Sequence, residues 1–176
     1  WRGINVRNKI KKSSDPQQDI RDDDLIEARE TIVKGKVFDL NQARSKKKYT
    51  YLTGGVYEGE WKGGFRDGKG IQEWTSNDKY EGNWMLGKRH GYGRYTNPSG
   101  SIYDGNWAND RPNGFGILYH RNGTTYEGMW RNDYIHGKGV KHSYNGDIYK
   151  GDFKYSRCHG YGIKKYSDGR KYAGQC

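Results

Sequence analysis

The stretch YEGEWKGGFRDGKG, residues 57–70, can be taken two ways. Its glycines, ending in the G-x-G of Gly68 and Gly70, suit a loop that cradles phosphate, and its Tyr57 and Trp61 suit stacking on a base or sugar. Recurrence decides between a ligand loop and an architectural unit. Tyr57, Tyr80, Tyr103, Tyr126, Tyr149 and Tyr172 lie 23 residues apart without a slip. Each opens the same phrase: YEGEW, YEGNW, YDGNW, YEGMW, YKGDF and finally YAGQC. Eleven residues after each of the first five comes G-x-G, starting at Gly68, Gly91, Gly114, Gly137 and Gly160. A phosphate loop is a single element between a strand and a helix, with a Lys and a Ser/Thr in place. In-register copies at a fixed period are instead the signature of a repeat architecture.

Each repeat reads as a hairpin. Y-x-G-x-W alternates with period two, which puts Tyr, Gly and Trp on one strand face. The next six residues, such as KGGFRD or MLGKRH, are polar and read as a turn. G-x-G-x-x-x then forms a second strand, and SGS, NGT, NGD or DGR turns the chain into the next Tyr. Strands joined by such short links are antiparallel neighbours. The expected fold is mainly β: an elongated, single-layer antiparallel meander that grows by two strands, or roughly 10 Å, per repeat. Glycine weakens a strand unless something bulky must approach it, and the Tyr and Trp rings are the bulk at hand.

Composition agrees with a thin structure. Only 31% of the 176 residues are hydrophobic, and the mean hydropathy is −1.24. Yet 27 Gly accompany 16 Tyr, 6 Trp and 4 Phe, an aromatic load that argues against simple disorder. The net charge of +11 suits an acidic protein, a membrane surface or nucleic acid without choosing among them. Acidic residues interleaved with the aromatics disfavour nucleic acid. Cys158 and Cys176 make no disulfide framework and no metal-ligand spacing, which points to a reducing compartment. A start at Trp1 and an end in YAGQC suggest a segment of a longer chain.

The phrase Y-E-G-x-W, with G-x-G eleven residues on and a period of 23, resembles the MORN repeat (membrane occupation and recognition nexus). The resemblance covers residues 57–176. Its departures are local: Lys150 replaces the acidic second residue, Phe153 replaces Trp, and Asn97 stands where an aromatic often closes the repeat. It implies an elongated, twisted β-meander without a catalytic centre or cofactor, acting in protein or lipid contact. Such arrays occur in cytoskeletal, ciliary and membrane-junction scaffolds, and as accessory modules on lipid kinases. The implied location is the cytoplasmic side, on cytoskeleton, cilium, axoneme or membrane.

The expected domains are a basic extension, 1–48, with a short helix over about 22–34 that caps the array; a degenerate capping strand, 49–56; and repeats at 57–79, 80–102, 103–125, 126–148 and 149–171, with a partial one at 172–176. Asp24 and Glu27 suit a capping box for that helix. An end cap fits the need of repeat arrays to cover their termini. Tyr51 and Gly54 lie 23 residues before Trp74 and Asn77, so KKKYTYLTGG reads as a remnant of a repeat.

Two surfaces stand out. The first is a groove for a helical or extended partner segment. It combines the aromatic pairs Tyr57/Trp61, Tyr80/Trp84, Tyr103/Trp107, Tyr126/Trp130 and Tyr149/Phe153 with the acidic row Glu58, Glu81, Asp104 and Glu127, which would favour a basic partner. The alternative is anionic lipid, phosphoinositide included, met by Arg2, Arg7, Lys9, Lys11 and Lys12 together with turn cations such as Lys88, Arg89 and Arg66. The opposite face would carry Ile71, Ile117, Val140 and Ile163, with Arg94 as the exception. His90, His136 and His159 precede their G-x-G and read as turn residues. With His120 and His142 they recur too far apart to share a metal ion. No catalytic set stands outside the repeat pattern.

Overall fold

A computed structural model describes residues 41–176. The helix expected over about 22–34 and the basic Arg2, Arg7, Lys9, Lys11 and Lys12 lie outside them. The described residues form one antiparallel sheet of twelve strands in sequence order, and no helix occurs among them. The strands are β1 (Ser45–Thr50), β2 (Val56–Lys62), β3 (Phe65–Glu73), β4 (Lys79–Met85), β5 (Lys88–Thr96) and β6 (Ile102–Ala108). They continue with β7 (Arg111–Tyr119), β8 (Thr125–Arg131), β9 (Tyr134–His142), β10 (Ile148–Lys154), β11 (Arg157–Lys165) and β12 (Lys171–Gln175). β1 pairs with β2 through Tyr49 opposite Tyr57. Residues 52–54, inside the segment expected as a capping strand over 49–56, form the loop between them.

The register explains the glycines. Gly59, Gly70, Gly82, Gly93, Gly105 and Gly116 face one another across successive strands. The row continues through Gly128, Gly139, Gly151, Gly162 and Gly174. Each repeat tyrosine lies across this row. A Cβ placed on Gly93 would meet Tyr80 Oη at 2.2 Å, and one on Gly82 would meet the Gly93 Cα at 2.4 Å. Only bare backbone leaves room for the ring. The hydroxyl then donates to the backbone carbonyl three residues on: Tyr57 to Glu60 at 3.0 Å, Tyr80 to Asn83 at 2.9 Å and Tyr103 to Asn106 at 2.9 Å.

The tryptophans lock neighbouring repeats together. Tyr57, Tyr80 and Tyr103 each meet their own repeat's indole edge-to-face and then the indole of the next repeat. Tyr57 lies 5.1 Å from Trp61 and 5.4 Å from Trp84; Tyr80 lies 5.0 Å from Trp84 and 5.3 Å from Trp107. The chain of contacts runs on through Tyr103, Trp130 and Tyr126 to Phe153 and Tyr149. The indole Nε1 of Trp84, Trp107 and Trp130 donates to the carbonyl of Gly70, Gly93 and Gly116 respectively. Such ring pairs contribute about 0.5–1.5 kcal/mol each beyond burial, so stability accumulates along the array as nearest-neighbour terms.

The turns depart from expectation. Six polar residues do not form the loop of each repeat. The reversal takes two residues, both with positive φ: Gly63–Gly64, Leu86–Gly87, Asn109–Asp110, Asn132–Asp133 and Tyr155–Ser156. Such turns match the twist of the flanking strands, and the second strand therefore starts earlier. His90, His136 and His159 consequently lie inside β5, β9 and β11 rather than in turns. The surplus residues are absorbed by a register shift opposite each G-x-G, as between Gly59 and Trp61 on β2. The first glycine there adopts positive φ, +107° at Gly68. The NGT-type links are three-residue loops closed at both ends by hydrogen bonds. His120 N donates to Thr124 O at 2.8 Å, and Gly123 N donates to His120 O at 2.9 Å.

Two outcomes follow for stability. Gly93→Ala should destabilise the array by about 2–3 kcal/mol, because the methyl displaces a ring held on both sides. Gly100→Ala should cost only about 1–2 kcal/mol, since nothing lies within 4 Å and only its φ of +86° opposes a side chain. Urea titration of both variants checks this, and equal losses would contradict it. The second outcome concerns pH. Burial pushes the Tyr126 hydroxyl up to about 12, and Tyr80 and Tyr103 are raised in the same way. An unfolded tyrosine ionises near pH ~10. The stabilisation from keeping these hydroxyls neutral is complete below that value and is lost as pH rises toward the folded values. The urea midpoint should therefore fall between pH ~10 and 12, with tyrosinate absorbance rising as the near-ultraviolet dichroism of the indoles vanishes. A midpoint that stays flat over that window would contradict the assignment.

Candidate interaction face

The aromatic ladder forms the core. Tyr57 and Tyr80 are wholly buried, and Trp61, Trp84, Trp107, Trp130 and Phe153 nearly so. The rings cover one another edge to face. Cations complete the cover. Arg66 is 2% exposed, with its guanidinium 4.2 Å above the Trp84 ring. It donates to Gln72 Oε1 at 3.1 Å and to the Gly87 carbonyl at 2.7 Å. Arg89 repeats the arrangement 4.4 Å above Trp107 and donates to the Asp110 carbonyl at 2.8 Å. Stacking on an indole with hydrogen-bond acceptors at hand is what makes a buried guanidinium tolerable. Both arginines were expected among turn cations facing solvent, and both serve the core instead.

The acidic row lies on the other side of the sheet. Glu58 pairs with Lys48 on one flank and Ile71 on the other. Ile71 faces Glu81, Glu81 faces Arg94, and Arg94 faces Asp104. The row continues as Ile117, Glu127, Val140, Lys150 and Ile163. Charged and aliphatic side chains thus share one line across the sheet, with Arg94 and Lys150 as its cations. The expected groove of aromatic pairs plus acidic row cannot exist as one surface. Residues adjacent on a strand point to opposite faces, so Tyr57 and Glu58 are on opposite sides.

Beside that line runs a second one built from the middle residue of G-x-G and the fourth residue of the Tyr phrase. Tyr92 is 58% exposed, Phe115 47% and Met129 43%, with Phe115 directly opposite Met129. Tyr161 is exposed farther along it, beside Ile163 of the first line. Sequence reasoning passed over Tyr92, Phe115 and Met129. Their signal was parity: a residue between two core-facing glycines must point the other way.

Polar order is strongest at the β5–β6 junction. Asp104 accepts from Arg94 Nε at 2.9 Å and Nη2 at 2.6 Å, and from the Tyr92 hydroxyl. Burial works against its charge, but these donors outweigh it and hold the carboxyl below its ordinary range. Around this cluster the open face hollows into a groove of about 980 Å³ across β1 to β6. Its lining includes Lys46, Lys48, Glu58, Ile71, Glu81 and Tyr92. Such a face offers hydrogen-bonding and apolar contacts with one side open to solvent. Among the described residues no cluster of three His, Cys, Asp or Glu is placed to hold a metal ion.

Comparison with known proteins fits this geometry. The model of the MORN repeat matches residues 57–79, 80–102, 103–125, 126–148 and 149–169. No curated protein matches the chain. Among solved structures, one similar chain is the SAS-4 (dCPAP) TCP domain in complex with a proline-rich motif of Ana2 (dSTIL) of Drosophila melanogaster. It shows 18% identity over 73% of this chain and 76% of that one, with a TM-score of 0.42. Another is the wild-type TCP10 domain of Danio rerio CPAP in complex with a peptide of Danio rerio STIL. It shows 12% identity over 74% of this chain and 84% of that one, with a TM-score of 0.29. At these scores neither likeness bears on what this chain binds. Five consecutive family matches, laid over hairpins joined by one glycine row and one aromatic ladder, settle the family: the chain belongs to the MORN-repeat proteins.

Proposed function

We propose that this array is a non-enzymatic interaction module that binds a segment of a partner protein on the face opposite the aromatic ladder. The observation that carries the reading is the exposed apolar line of Tyr92, Phe115 and Met129 beside a row of charged and aliphatic side chains. A single-layer sheet buries one face on its own rings and leaves the other for something else. The family resemblance supports a cytoskeletal, ciliary or membrane-associated assembly as its setting. Within a longer chain it supports a targeting role beside an enzyme such as a lipid kinase.

A lipid reading rests on a different observation. Lys46 and Lys48 are exposed on one face of β1, the first strand among the described residues, while Lys47 between them lies over the Trp61 ring on the other face. Such a pair attracts an anionic surface by about 1 kcal/mol per charge. Buried Arg66 is not available to it, and Arg89 is largely covered and held by Asp110.

The test pairs Phe115→Asp with Met129→Asp in one chain, with thermal stability as the check on folding. Both side chains are solvent-facing, so stability should change by less than about 1 kcal/mol. Quantitative affinity capture with crosslinking should then show partner recovery falling at least ~10-fold. In the parent chain, crosslinks should fall on open-face lysines such as Lys138 and Lys150. Undiminished recovery, or crosslinks confined to the hairpin tips, would remove the proposal. Flotation with phosphoinositide vesicles addresses the lipid reading. Salt-insensitive or absent binding would exclude it, and loss of binding on replacing Lys46 and Lys48 by Gln would favour it.

A further inference from the structure

One pair of repeat positions changes chemistry along the array. The residue facing the Trp of its own repeat across the hairpin also lies beside the Trp of the next repeat. Arg66 stacks on Trp84 at 4.2 Å and Arg89 on Trp107 at 4.4 Å. In the following repeats the same positions hold Pro112 with Trp130 and Ile135 with Phe153. In the last they hold Cys158 with Cys176. Both members change together, and both become thiols.

The register places Cys176 where a ring would otherwise sit. Trp84, Trp107 and Trp130 face Gly68, Gly91 and Gly114. Cys176 N likewise donates to the Gly160 carbonyl at 2.8 Å. Its Sγ lies 3.5 Å from Tyr149 Oη and donates to it, on the side where Tyr57 meets Trp84 in the first repeat. Cys158 faces Phe153 across the β10–β11 hairpin, in the repeat position from which Arg66 reaches Trp84 and Arg89 reaches Trp107, so the register sets it beside Cys176. Both cysteines are free and solvent-exposed. The neighbouring Cys176 thiol, followed by burial, raises the Cys158 thiol above its ordinary range.

We propose that Cys158 and Cys176 are a redox pair that closes to an intramolecular disulfide and staples β12 to the tip of the β10–β11 hairpin. The oxidant class is a small-molecule disulfide such as oxidised glutathione. One cysteine thiolate attacks a glutathione sulfur, forming a mixed disulfide and releasing the first glutathione thiolate. The second cysteine thiolate attacks the protein sulfur of that mixed disulfide and releases the second. Both cysteines lose a proton, the two sulfurs are oxidised, and one oxidised glutathione becomes two reduced ones. The covalent bond then takes the place that stacking holds in the earlier repeats.

The experiment treats the chain with excess oxidised glutathione and follows it by intact mass and non-reducing peptide mapping. The expected product is a monomer lighter by two hydrogens, without adducts, giving a linked Cys158–Cys176 peptide. Cys158→Ser and Cys176→Ser chains should each retain one glutathione instead. Hydrogen exchange at β12 amides should slow by roughly ten- to a hundredfold on oxidation of the parent chain and not in either variant. A parent chain carrying two glutathiones, or crosslinked only between molecules, would overturn the proposal. Formation of the disulfide with unchanged β12 exchange would overturn the stapling role.

Discussion

The structure depends on the seating of a tyrosine ring on bare backbone. Gly59 and Gly70 face each other so that Tyr57 can lie across both, and the arrangement recurs at every repeat up to Tyr172 over Gly174. Because the ring lies flat along the sheet, its edge is free to meet two indoles, one from each of two repeats. A fold with few aliphatic residues thereby obtains a continuous core from a single layer. The hydroxyl at the ring's far end is satisfied by a carbonyl beside the register shift, as Glu60 serves Tyr57 at 3.0 Å. Ring, glycine and bulge are one device. Removing any of them exposes the others.

This device has a consequence for function. It commits one face to the core, Arg66 and Arg89 included, and leaves the other face unconstrained by the core. The residues between the glycines are therefore free to vary: Lys69, Tyr92, Phe115, Lys138 and Tyr161 occupy the same place in successive repeats. That variation makes the open face charged and grooved across β1 to β6 and apolar around Phe115 and Met129. A uniform scaffold thus carries a non-uniform surface, which is what selective recognition of one segment requires.

Much of the fold was legible in the sequence because the core residues are periodic. The 23-residue spacing, the Tyr-Gly-Trp parity and the glycine-ring pairing each follow from the identity of residues 57–70 and their copies. The short turns were not legible. Leu86 at φ +51°, Tyr155 at +49° and Ser156 at +61° are poor advertisements for a left-handed pair, and only the constraint of strands on both sides holds them there. The core-stacking roles of Arg66 and Arg89 were missed for a related reason. A cation in a polar hexapeptide reads as solvated until the indole beneath it and the carbonyl beside it are in place. The interaction face was misassembled because Tyr57 and Glu58 are neighbours in sequence but are separated by the sheet itself.

The central claim is that each repeat tyrosine lies flat on a glycine pair, and glycine α-proton chemical shifts report this directly. Aromatic ring currents should carry the α-protons of Gly70, Gly93, Gly116 and Gly139 well upfield of the ordinary glycine range, with nuclear Overhauser contacts to the ring protons of Tyr57, Tyr80, Tyr103 and Tyr126. Glycine α-protons at unperturbed positions, without contacts to those rings, would contradict the account.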